Sequence, residues 1–141
     1  MTMRKFDAAN TWITSDTHAF HKNICRGTTS WGSDRYARDF ANPEIMTECL
    51  ANAINQVVPS EGVLIHLGDW SFGGKDKIKK FRDMLNVKTI ILLCGNHDQH
   101  IHDWMSNERK YAHLFTEVHG NHIDSYHMAI SVSGINYIVG H

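Results

Sequence analysis

Residues 90–100 read IILLCGNHDQH: four aliphatic side chains, a cysteine, and then Gly95, Asn96, His97 and Asp98. The apolar half has the uninterrupted, β-branched character of a buried strand. The polar half begins where that strand must end. Three polar side chains at such a point face either solvent or a ligand, and the choice depends on what else ends beside them.

Two earlier stretches share the pattern. TWITS (11–15) and VLIHL (63–67) are short and rich in β-branched, aliphatic or aromatic residues, and TIILLC (89–94) is the third. NPEIMTECLANAINQVV, between the first two, reads as a helix with Asn42 as N-cap, Pro43 in the first turn and Glu44 at the positive end of the dipole. Its apolar stripe is expected along Ile45, Cys49, Ala53 and Val57, with Met46, Leu50 and Ile54 beside them. KDKIKKFRDML, between the second and third runs, places Ile78, Phe81 and Leu85 on one face and its lysines on a solvated one. Strand, helix, strand, helix, strand implies an α/β fold with right-handed crossovers and an at least partly parallel sheet. Beyond Asp98 the pattern predicts a short helix through QHIHDWMSNERKYAHLF, capped by Asp98, and a hairpin in YHMAISVSGINYIV turning at Ser133 and Gly134.

In an open α/β sheet, ligands bind outside the carboxyl ends of the strands. The three runs finish in Asp16 and His18, in Asp69, and in Asn96, His97 and Asp98. Singly, each is ordinary: Asp-x-His occurs by chance, Gly-Asp is a common turn, and Asp98 has a capping role open to it. Together they bring carboxylates to one edge, where mutual repulsion calls for a cation. Carboxylate, imidazole and amide oxygen without thiolate suit Mn, Fe, Zn or a similar ion. Asp69, on the middle strand, is placed to bridge two such ions, which would clamp a phosphoryl oxygen and supply a bridging hydroxide near neutral pH. His97 is then free to protonate a leaving oxygen, with Asp98 holding its ring.

Composition narrows the alternatives. Lys plus Arg number 14 against 15 for Asp plus Glu, so there is no cationic track for a long nucleic acid and no basic membrane-binding face. The 141 residues, without a linker, are expected to form one domain, residues 1–141. Three cysteines, in no paired spacing, read as free thiols of a cytoplasmic protein, and neither a signal segment nor a membrane span is visible. Among eleven histidines, His66 inside VLIHL reads as a core residue, while His100, His102, His113, His119 and His122 read as solvated. WSFGGKD lacks the first glycine and the final Ser/Thr of a phosphate loop, and no dinucleotide, zincin or α/β-hydrolase signature is present.

The blocks SDTH, LGDW and CGNHD, in this order and each at a strand end, resemble the calcineurin-like metallophosphoesterase family. The flanks SDTHAFHKNI, VLIHLGDWSFG and IILLCGNHD are similar to its small bacterial and phage branch, with resemblance over residues 11–98 and more loosely to 141. The resemblance implies a sandwich of two mixed β-sheets flanked by helices and a binuclear site hydrolysing a phosphomonoester or phosphodiester. By matching position it implies Asp16, His18 and Asp69 on a first metal, Asp69 and Asn96 on a second, and His97 as the acid. Where the branch commonly has a glycine, Ala19 and Phe20 lead to His21, which is read as a capping or surface histidine with a substrate-side role as the alternative. Against the catalytic reading stand a non-catalytic metal- or nucleotide-binding module of the same fold and a metal-dependent nuclease. Arg26, Arg35, Arg38, Trp31 and Tyr36 lie in the loop before the first helix as exposed residues or as contacts to a small phosphoester.

His141 ends the chain directly after an apolar strand. It is read as the family's lone histidine on the second metal, the alternative being the first histidine of Gly-His-x-His. On either reading the sandwich is expected to be incomplete at the C-terminus, to bind metal loosely and to leave a sheet edge on which a second copy can pair.

Overall fold

The computed structural model describes residues 3–101, 111–120 and 127–141. In chain order the elements are β1 (Arg4–Phe6), β2 (Thr11–Thr14), α1 (Pro43–Val57), β3 (Val63–His66), α2 (Lys75–Asp83), β4 (Thr89–Leu93), β5 (Glu117–His119), β6 (His127–Val132) and β7 (Ile135–Gly140). They form two sheets, ordered β2-β3-β4-β5 and β1-β6-β7. Every pairing in the first is parallel, with Thr11 opposite Val63 and Val63 opposite Thr89. The second is mixed: β1 runs parallel to β6, and β6 antiparallel to β7. The expected α/β sandwich is present, and its mixed character sits in the smaller sheet.

Alternation along the strands produces the layers, because successive side chains point to opposite faces. Ile65, Ile91 and Leu93 turn toward Met128 and Ile130 of the smaller sheet. Leu64, Ile90 and Leu92 turn the other way, onto Ala51 of α1 and Ile78 and Phe81 of α2. The order is therefore helices, parallel sheet, mixed sheet. Arg4 and Glu117 join the two sheets at their margin, with Nη1 and Nη2 donating to the two carboxylate oxygens at 2.7 and 3.0 Å.

Local chemistry explains the boundaries. Asn42 caps α1, its side-chain oxygen accepting the Ile45 N–H at 2.9 Å, with Pro43 next. The buried face of α1 is not the expected stripe. Met46, Thr47 and Ala51 are buried, whereas Ile45 is 44% and Val57 61% exposed. The helix lies over the β2 margin of the sheet, so the far side of its apolar surface overhangs an open groove beside Trp12 and Ile13 instead of packing on strands. The hairpin turns where expected: Ser133 and Gly134 both have positive φ, at 48° and 86°, as a two-residue primed turn requires. Most of the helix expected after Asp98 falls on residues 102–110, outside the described residues, as do His102 and His122. No helix among the described residues is long and apolar enough to cross a membrane.

Candidate metal centre

The parallel strands β2, β3 and β4 end at the same edge, and the backbone leaves each in a tight turn. Asp16, His18 and Asp69 hold left-handed backbone, with φ of 52°, 48° and 57°. Each such non-glycine residue costs about 1–2 kcal/mol, so the surroundings must enforce it. Part of the restraint is main-chain pairing that outlasts the strands: the Asp16 N–H reaches the Gly68 carbonyl at 2.9 Å, and the His18 N–H reaches the Asp69 carbonyl at 3.0 Å. The first two ligand blocks thus lie flat against each other.

The side chains converge. Donor atoms of Asp16, Asp69 and His141 all lie within 4.8 Å of one another. His18 Nε2 stands 3.4 Å from both Asp16 Oδ1 and Asp69 Oδ2. His141 Nε2 is 3.5 Å from Asp69 Oδ2 and 3.0 Å from Asn96 Oδ1. The structure therefore brings together all five residues expected as ligands: Asp16, His18, Asp69, Asn96 and His141.

His141 shows that a cation fits. Its Nδ1 lies 3.0 Å from the Leu67 carbonyl, which can only accept, so Nδ1–H is the donor there and the ring turns Nε2 inward to the cluster. Nε2 then stands 3.0 Å from Asn96 Oδ1 and 3.5 Å from Asp69 Oδ2, imidazole nitrogen, amide oxygen and carboxylate oxygen being a donor set that a divalent cation accepts. A ring N–H bound to a carbonyl is also the usual way a ligating histidine is oriented. Burial holds the His18 imidazole below its ordinary pKa against the opposing pull of Asp69, which favours the neutral, metal-binding ring. The Asp16 carboxyl is raised by burial but carried below its ordinary value by the Ser15 hydroxyl, His141 and His18. Gly95 is required for close approach: a Cβ there would collide with Asp69 Oδ1 and stand 3.0 Å from His141 Cγ.

The chain matches the sequence profile described as calcineurin-like phosphoesterase over residues 9–141. It belongs to the calcineurin-like phosphoesterase family. Members are in general metal-dependent hydrolases of phosphoesters, and the donor cluster of this chain agrees with metal binding. Among solved structures the chain is similar to the Aquifex aeolicus protein of unknown function AQ665, with 22% identity and a TM-score of 0.59. That likeness covers 94% of this chain and 60% of the other, so the chain spans about 60% of the length of that protein and shares its fold. No curated protein matches the sequence significantly.

One residue of the family blocks differs from expectation, and one beside them follows it. Asp98 does not hold the His97 ring. Its carboxylate is 2% exposed as a residue and accepts three main-chain N–H groups, from Asp69 at 2.7 Å, Trp70 at 2.9 Å and Gly95 at 2.8 Å. The strand-end turn folds the side chain back beneath the ligand loops, where it is a fastener. His21 follows the capping reading: its Nδ1 accepts the Ile24 N–H at 3.1 Å and starts the 3-10 turn Lys22–Ile24.

His97 is exposed, and its backbone N–H donates to Asp69 Oδ1 at 3.1 Å. Its ring packs on Phe72 with centroids 4.9 Å apart, and Phe72 also stacks on His18 at 5.1 Å and meets His21 at 4.0 Å. Phe72, which sequence reasoning overlooked, is thus the partition against which three histidines rest. Its signal was modest: an aromatic three residues beyond Asp69.

Proposed function

We propose that the protein is a metal-dependent phosphoesterase that cleaves a small phosphomonoester or phosphodiester with two divalent ions, Mn, Fe, Zn or similar. The observation that carries this reading is the meeting of Asp16, Asp69 and His141 donors within 4.8 Å at the strand ends, with the His97 ring beside them. Divalent ions bound there would polarise phosphoryl oxygens and generate hydroxide near neutral pH. Asp69, 3% exposed and in reach of both His18 and His141, is the carboxylate that faces both halves of the donor set.

The His97 imidazole, held between Phe72 and solvent, delivers a proton to the leaving oxygen. A cavity of about 210 Å³ opens on its far side, lined by Phe72, Gly73, Gly74, His97, Gln99 and Ile101. It receives the leaving group, and its size favours a small substrate over a polymer. The near-neutral balance of 14 basic and 15 acidic residues points the same way. The free thiols of Cys25, Cys49 and Cys94 support a cytoplasmic setting.

The test is turnover of aryl phosphate mono- and diesters by the manganese-loaded protein. Asp69→Asn and His97→Ala should each lower the rate by about 100-fold or more while the fold is retained. Undiminished turnover in Asp69→Asn overturns the reading. Tight metal binding without turnover across nucleotides, cyclic nucleotides, phosphosugars and short oligonucleotides would instead identify a binding module.

A further inference from the structure

Thr17 lies between the two ligands Asp16 and His18, both of which have left-handed backbone, and it is 4% exposed. Its hydroxyl donates to the Trp70 carbonyl at 2.9 Å and lies 2.8 Å from His66 Nε2. The His66 ring is completely buried, and its Nδ1 accepts the Gly68 N–H at 3.1 Å. Nε2 must therefore carry the ring proton and give it to the Thr17 oxygen. One directional relay results: Gly68 N–H to His66, His66 to Thr17, Thr17 to the Trp70 carbonyl. Both of its ends flank Asp69.

The main chain of the same residue is held from the other side. Arg38, from the loop before α1, donates Nη1 to the Thr17 carbonyl at 2.7 Å and Nη2 to the Asp16 carbonyl at 2.6 Å. Among the described residues no carboxylate forms a close ion pair with this half-buried guanidinium, which the Asp16 carboxylate attracts only through space. Its planar fork is spent on two successive carbonyls of the ligand loop.

We propose that Thr17, gripped by Arg38 and His66, is the positioning residue that sets Asp16 and His18 against Asp69. This rests on the metal-centre reading above, and none of the three residues is itself among the proposed ligands. Groups that orient ligands without touching the ion typically alter metal affinity by about 10- to 100-fold. Thr17→Val keeps the shape and removes the hydroxyl, while Thr17→Ser keeps the hydroxyl.

Titration of the metal-free proteins with Mn²⁺, followed calorimetrically, should show valine binding about 10- to 100-fold more weakly than wild type and serine recovering most of the loss. A residue serving only stability would lower the melting temperature of the valine protein and leave its Mn²⁺ affinity unchanged, which overturns the proposal. If the valine protein does not fold, Arg38→Met against Arg38→Lys replaces it: methionine should lose affinity, lysine should recover part of it, and equal affinity in methionine and wild type is refuting. Ring ¹⁵N shifts of His66 in the metal-free wild type test the relay independently; they should report the Nε2–H tautomer, and an Nδ1–H ring overturns the arrangement. A wild type that takes up no Mn²⁺ removes the metal-centre reading and this one with it. A wild type that binds, matched by Thr17→Val, removes this one alone.

Discussion

Asp98 Oδ2 accepts the Asp69 N–H at 2.7 Å, so the loop after β4 is fastened to the loop after β3 through a buried carboxylate. Asp98→Asn preserves the size but turns an NH₂ group toward main-chain donors that a carboxylate satisfied. Hydrogen bonds to a charged group are worth about 1.5–3 kcal/mol each, and at least one is lost with a buried N–H left over. The variant should be destabilised by about 3 kcal/mol or more, read from its urea midpoint. An unchanged midpoint would show that the carboxylate is not the fastener.

Stability should depend on His66 in acid. Burial pushes this imidazole down to about 3, from an ordinary 6.5. Between those values the unfolded chain takes up a proton that the folded protein refuses, so stability is intact above pH 6.5 and falls as the pH drops toward 3. The full span corresponds to about 5 kcal/mol, an order-of-magnitude figure for a wholly buried ring. In His66→Gln the melting temperature at pH 7 should be lower, but its decline between pH 6.5 and 4 should be shallower. Parallel profiles for variant and wild type would contradict this.

Gly95→Ala tests the tightness of the centre. The added methyl group would collide with Asp69 Oδ1 and lie 2.9 Å from the Asp69 nitrogen. Displacing that carboxylate should weaken Mn²⁺ binding about tenfold or more. Gly32→Ala, with nothing within 4 Å of the added carbon, is the control and should bind as wild type does. Equal affinities in the two variants would show that Asp69 has room to move.

What was legible in the sequence was local. Of the four strands of the parallel sheet, β3 and β4 announce themselves because a strand buried on both faces is a continuous apolar run, and β2 by its β-branched and aromatic residues; the glycine or short polar residue that follows marks the end of each. The candidate site was legible for the same reason: its donors other than His141 sit one to three residues past those runs. β1 and β5 were not, since RKF and EVH are three residues each, carry charge, and take their order from partners such as the Arg4–Glu117 pair, 113 positions apart. The α1 stripe was misjudged because periodicity gives the apolar side of a helix but not how far it overhangs the sheet. Asp98 was misread because a carboxylate beside a histidine in sequence says nothing of which way a tight turn throws it. The His66–Thr17 contact spans 49 positions and leaves no local trace.

The parallel sheet also governs when the centre can exist. With no hairpin among its four strands, each pairing must wait for a crossover to close, which makes assembly slow compared with local structure. The donors run from Asp16 beside that sheet to His141 after β7 of the other, so a half-formed chain holds no more than a fragment of the candidate donor set. Ion uptake at such a centre would consequently be a clock for the last stage of folding. For an ion bound by the folded state alone, every factor of ten in free concentration above the dissociation constant would add about 1.4 kcal/mol to the whole fold rather than to one loop.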